Sequence, residues 1–198
     1  MFKNEQNGFT LLELTVVIAI IILLSGIVLA NYRVGEREYA LLRSAHKLAQ
    51  DLRTAQKMAM ASETLPASFV NDVGSFPKGG YGIFFQNNLS SYTLFADCDD
   101  DEEYDVSGAA SSCAEATAGI PYPEKIKELS FGETGIKISK LQVDSLETSS
   151  LNVTFFPPDP VIEIESGGQS YDLAIITLNI DGKIKTVKIN TVGLIEID

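Results

Sequence analysis

The chain has 198 residues, a formal net charge of −12 and a 45% share of hydrophobic residues. An acidic surface argues against binding a nucleic-acid backbone, which needs clustered Lys and Arg to neutralise phosphates. There is no tryptophan and one histidine, His46, so a histidine-dependent catalytic centre is close to excluded by inventory.

The first eight residues are polar, and Lys3 and Glu5 cancel within them. The seventeen residues from Leu14 to Ala30 carry no charge, and their only polar side chains are Thr15 and Ser25. At about 1.5 Å per residue this run covers roughly 25 Å, and Phe9 to Leu12 extend it to bilayer length. It predicts one membrane-spanning helix. Glu13 sits near its start, where a carboxylate within a bilayer costs about 2.5–3.5 kcal/mol on insertion scales and calls for a specific partner. A cleavable secretory signal would show a basic first segment and a small-x-small site after the run; Asn31-Tyr32-Arg33 stands there instead. A plain single-pass anchor leaves Glu13 unexplained. Lys3 before the run and Arg33 and Arg37 after it give only a weak orientation bias.

Beyond the span, Leu41, Ala45, Leu48, Leu52, Ala55 and Ala59 recur at steps of four, three, four, three and four, which is one apolar helix stripe. No proline interrupts Phe9 to Leu65, so a nearly continuous helix is expected from Phe9 to about Ser62, roughly 80 Å long. His46 falls beside the stripe and reads as a helix-surface or core-edge residue rather than a ligand. Leu65-Pro66 is expected to close the helix. The remainder is rich in strand signals: 67–70, 82–85, 92–96, 127–131, 136–140, 151–156, 162–165, 173–179, 184–189 and 194–197. Asp181-Gly182 marks a hairpin, and Phe156-Pro157-Pro158-Asp159-Pro160 reads as a rigid connection.

The densest charge cluster is Asp97-Cys98-Asp99-Asp100-Asp101-Glu102-Glu103-Tyr104-Asp105. Carboxylates at its first, third, fifth and ninth positions echo a calcium loop, although Glu102 stands where such a loop has glycine and Gly108 where it has a bidentate glutamate. Calcium held by Asp97, Asp99, Asp101 and Asp105 is one reading. A solvated acidic loop is the other.

The segment Gly8-Phe9-Thr10-Leu11-Leu12-Glu13-Leu14 resembles the prepilin signature of type IV pilins and type II secretion pseudopilins. The resemblance implies that a prepilin peptidase cuts between Gly8 and Phe9 and that Phe9 is then N-methylated. It further implies that Glu13 serves assembly, by pairing with the Phe9 ammonium of a neighbouring subunit. The implied fold is α+β, a pilin-like lollipop with a long N-terminal helix packed on a C-terminal β-rich domain of antiparallel sheets. Residues 1–8 would be the leader peptide, 9–30 the transmembrane and filament-core helix, 31–63 its amphipathic continuation and 64–198 the soluble domain. Many major pilins carry proline at the position of Ala30; this chain does not.

Asp51-Leu52-Arg53-Thr54-Ala55-Gln56, the strands around Tyr81–Phe85 and Tyr92–Asp97, and the closing Asp181–Ile197 region look most similar to H-type minor pseudopilins. Such a protein is not an enzyme and requires no cofactor, calcium aside. Its partners are the peptidase, other pilins or pseudopilins in a helical filament, and an inner-membrane assembly platform with its ATPase, since no P-loop is present here. Its place is the inner membrane, single-pass, with the C-terminal domain periplasmic, and then the pilus or pseudopilus. In an exported domain Cys98 and Cys113 can form a disulfide, worth roughly 3 kcal/mol for a 15-residue loop, with free thiols as the alternative. Two rivals are weighed. A minor pilin for DNA uptake or adhesion would use Lys183, Lys185 and Lys188; an anchored enzyme would use carboxylates such as Asp100 and Asp101, which lack a partner base.

Overall fold

A computed structural model describes residues 9–67, 69, 71–72, 74–117, 119–157 and 161–198, without the side chains of 30–34. The chain divides into two compact units at the Tyr39–Ala40 junction. Helix α1 (Leu11–Met60) is 50 residues long and runs through that junction.

Both ends of α1 are closed by identifiable bonds. Thr10 precedes the first turn; its Oγ1 accepts from the Glu13 backbone N–H at 3.2 Å, and its carbonyl accepts from Leu14 N–H. Thr10 and Glu13 therefore stand at the N-cap and third positions of a capping-box sequence. Phe9 lies outside the helix rather than starting it. At the other end Ser62 adopts the left-handed conformation, with φ of 47°. Ser62 N–H bonds to the Ala59 carbonyl and Glu63 N–H to that of Met58. This paired closure is a Schellman motif with serine where glycine is usual. It stops the helix before Leu65-Pro66 is reached, so the proline is not the terminator.

In the second unit the predicted stripe is buried throughout, with Ala45, Leu48, Leu52, Ala55 and Ala59 fully covered. Each buried leucine contributes about 1.5–3 kcal/mol. His46 is exposed. The stripe belongs to one apolar cluster that also takes in Tyr81, Ile83, Phe85, Leu141, Val153, Ile176 and Val187 from the strands.

Eleven strands among the described residues form two antiparallel sheets. The first contains β1 (Gly80–Gln86), β2 (Ser91–Asp97), β3 (Lys125–Ser130), β6 (Ser150–Phe156), β7 (Val161–Glu165) and β8 (Ser170–Tyr171), in the order β3-β2-β1-β6-β7-β8. The second contains β4 (Lys137–Val143), β5 (Leu146–Thr148), β9 (Leu173–Ile180), β10 (Lys183–Asn190) and β11 (Ile195–Ile197), in the order β11-β10-β9-β4-β5. The Asp181-Gly182 turn joins β9 to β10, pairing Ile180 with Lys183. Both turn residues have positive φ, at 47° and 83°, the geometry that matches strand twist in a two-residue hairpin.

The strand expected over 67–70 is not formed at Ala67 and Phe69, which lie in turns; residues 68 and 70 are outside the described set. Of the proline-rich connection, residues 158–160 are likewise outside it. The short strands β5 and β8 were not anticipated: each makes only a brief edge pairing, β5 on β4 and β8 on β7.

What the fold does for function is set by the β2–β3 connection. It leaves β2 at Asp97, travels 27 residues, taking a 3₁₀ turn at Cys113–Glu115, and returns as β3 at Lys125.

Candidate functional site

Two regions hold the residues singled out from the sequence. The first is the start of α1. Among the described residues, every side chain from Phe9 to Leu29 is exposed, with Phe9 at 85%. The stretch Leu11–Leu29 has a mean hydropathy of 2.8 over its most apolar window, long and apolar enough to cross a membrane. Gly8 lies outside the described residues. Glu13, in the first helical turn, also sits where the positive end of the helix dipole favours a carboxylate.

The second region is the acidic connection after β2. Its first part is closed into a loop by the Cys98–Cys113 disulfide. Asp72, itself 5% exposed, accepts from the Cys113 N–H at 2.6 Å and the Ala114 N–H at 3.2 Å, fixing the second cysteine's turn. Glu124, fully buried just before β3, accepts from the Cys98 N–H at 2.6 Å through Oε1 and from the Asp105 N–H at 3.1 Å through Oε2. One carboxylate thus holds both ends of the acidic run. Tyr104 anchors its middle by ring contacts with Phe84 and Phe95, at 5.1 and 5.5 Å between centroids.

Within this frame the run folds inward. Asp97 is fully buried; its Oδ1 accepts from the Asp100 N–H at 2.7 Å and its Oδ2 from the Glu102 N–H at 3.0 Å. Asp99 is 7% exposed, and among the described residues neither of its carboxylate oxygens has a hydrogen-bond partner in another residue. Asp97, Asp99 and Asp101 each bring a carboxylate oxygen into a group whose members all lie within 4.8 Å of one another. Asp105 is not in that group and meets Glu124 through its backbone instead.

The electrostatics are those of charge crowded into a poorly solvated place. Burial, with Asp101 and Asp99 adding repulsion, pushes Asp97 up to about 7 although two backbone N–H groups oppose it. Burial and the repulsion of Asp101 and Asp105 push Asp99 up to about 6. Burial pushes Glu124 up to about 9. Further acids crowd in from β7: Glu102 and Glu103 are both raised by burial and by Glu163 and Glu165 respectively. Lys78 is the basic group that pulls on Asp99, yet its amine bonds to the Ala116 carbonyl at 2.7 Å.

Sequence reading found the three gathered aspartates but missed Glu124 and Gly79. A Cβ at Gly79 would lie 2.1 Å from Asp97 Oδ2, so only glycine leaves room for that carboxylate. Of the three hairpin lysines, Lys188 is paired with the carboxylate of Asp198. Asp100 and Asp101 have no partner base within the connection.

The prokaryotic N-terminal methylation motif matches residues 3–29. No curated protein and no solved structure matches the chain. The chain thus carries a prepilin-type N-terminal motif, which supports a place among type IV pilin-like subunits, implies processing by a prepilin peptidase and assembly with other pilins, and fits a membrane-anchored, single-pass protein. That class is structural rather than catalytic.

Proposed function

We propose that the chain is a minor pseudopilin of the H type, a subunit of the pilus-like filament of a type II secretion system. One observation carries the reading: the methylation motif of residues 3–29 coincides with a helix, Leu11–Leu29, whose side chains are all exposed. Such a surface needs an apolar environment that the described residues do not provide.

Magnitudes are consistent with insertion. Fourteen Leu, Ile and Val residues lie between Leu11 and Leu29. At about 0.3–0.6 kcal/mol each they favour the membrane by roughly 4–8 kcal/mol, which exceeds the cost of a carboxylate near one end. Insertion as a precursor is followed by a cut after Gly8 and methylation of Phe9. The domain from residue 64 onward lies on the extracytoplasmic side, with 9–30 as the filament-core helix and 31–63 as its continuation. Extraction into a filament requires other apolar helices to replace lipid and a neighbour's Phe9 ammonium to meet Glu13. An assembly platform and its ATPase, both separate proteins, supply the work.

The H-type assignment is supported by the sequence resemblance in β1, β2 and the closing β10–β11 pair, which the fold sets as neighbouring antiparallel strands. N-terminal peptide mass spectra from cells with an active prepilin peptidase are expected to give methylated Phe9; an uncut Met1 form would overturn the processing. Glu13→Leu should insert and be cut yet be depleted from the sheared filament fraction. Normal incorporation would remove the assembly role of Glu13.

A further inference from the structure

We propose that Asp97, Asp99 and Asp101 hold a calcium ion, which fixes the path of the β2–β3 connection. Three carboxylate oxygens that lie within 4.8 Å of one another are spaced to share one ion. A cluster of acids alone would not establish a site, because acids often collect on solvated loops. The deciding feature is Asp99, which is 93% buried by accessibility and has both carboxylate oxygens unpartnered among other residues. A buried, unpaired carboxylate costs several kcal/mol and persists only with a compensating charge or hydrogen-bond donors. Among the described residues, what Asp99 meets here is its own backbone N–H and the weaker pull of Lys78, while burial and the neighbouring acids outweigh both. Backbone N–H groups serve Asp97 and Glu124, the nearby Lys78 amine is bonded to Ala116, and β7 adds Glu163 and Glu165 to the same side. The missing partner is a cation.

The donor set selects its kind. All the side-chain donors are carboxylate oxygens, and both cysteines are consumed in the disulfide. That excludes the nitrogen and sulfur ligands that zinc and softer metals prefer. Magnesium keeps several waters and takes one or two carboxylates in strict octahedral geometry, whereas calcium accepts six to eight oxygens in flexible arrangements. A site with three converging, largely dehydrated carboxylates on an irregular loop suits calcium. Backbone carbonyls or water complete the shell. The second ring is already built: Glu124 positions the backbone at Cys98 and Asp105, and Gly79 leaves room for Asp97. Calcium binding in this domain is independent of filament membership, so a failed cleavage or assembly test leaves it standing.

The test uses the full chain in detergent, stripped with a chelator and titrated with calcium or magnesium by calorimetry, with melting curves in parallel. One calcium is expected to bind with a Kd on the order of 10⁻⁴ M or tighter, and millimolar calcium should raise the melting temperature. Asp99→Asn should weaken binding by at least about tenfold, and in chelator it should melt at the same temperature as the parent or above it. A lower melting temperature for Asp99→Asn in chelator would mean that the protein itself satisfies this carboxylate, and would overturn the proposal. Asp101→Asn, on a half-buried side chain, provides a second variant with the same expected loss of affinity. An unchanged parent melting temperature in millimolar calcium, or a parent-like affinity in both variants, would also overturn it. Magnesium binding as tight as calcium binding would overturn the assignment to calcium.

Discussion

The first turns of α1 and the β2–β3 connection depart from ordinary soluble packing in opposite directions. Leu11–Leu29 exposes aliphatic side chains on every face, whereas the connection buries carboxylates. An exposed apolar surface and a buried charge are the two placements that call for an explanation. The first calls for an apolar environment of lipid or neighbouring helices; for the second we propose a cation. They differ in how the need arises. The span's need is written into composition, residue by residue, and persists in any conformation. The pocket's need exists only once Glu124, the disulfide and Tyr104 have folded the acids inward.

The largest expected effect separates the span from the domain. Leu52→Ala, within the buried stripe, should lower the unfolding free energy of the domain by about 2–5 kcal/mol, read as a lower urea midpoint for the full chain in detergent. Ile22→Ala, one helix but thirty residues away, should leave that midpoint within about 0.5 kcal/mol of the parent. Equal losses from the two substitutions would break the comparison.

A second test bears on the buried acids. Burial pushes Asp97, Asp99 and Glu124 up to about 7, 6 and 9, above the ordinary carboxylate range of the unfolded chain. Groups raised in this way bind protons more tightly when folded, so their stabilisation is complete at acid pH and is lost as pH rises through those values. The metal-free chain should therefore melt at progressively lower temperature from about pH 5 to about pH 9. A rise across that window would show that these carboxylates are not burdened by burial.

The smallest effect concerns how the chain closes its own helix. Ser62 holds a positive φ that costs a non-glycine residue about 1–2 kcal/mol, partly offset by the entropy glycine loses on folding. Ser62→Gly should raise stability by a few tenths to about 1 kcal/mol, detected as a higher melting temperature. A loss would mean that the serine side chain contributes more there than the backbone strain removes.

The long-period features of this fold were readable from sequence because they depend on patterns that survive any tertiary arrangement. Leu41 to Ala59 repeat at helical spacing, and Asp181-Gly182 is a turn that needs no distant partner. Features set by tertiary packing were not. Helix α1 begins at Leu11 because Thr10 caps it, so Phe9 stands outside the helix expected to start with it. Among the site residues, the structure gathers the carboxylates of Asp97, Asp99 and Asp101, while Asp105 satisfies the same spacing in sequence without joining them. Glu124 carried no local signal. It stands beside Lys125 at the head of an ordinary charged strand, and only the return of that strand brings its carboxylate to the Cys98 and Asp105 amides.

The close approach of Asp97 to Gly79 has a consequence for descent. With 2.1 Å between Oδ2 and the place of a would-be Cβ, position 79 cannot gain a side chain while the aspartate stays inward. A lineage that gains a side chain at 79 must give up the inward aspartate, and one that loses the aspartate is released from glycine. Paired gain and loss at two sites eighteen residues apart would therefore mark, in genomes alone, which relatives have kept this pocket.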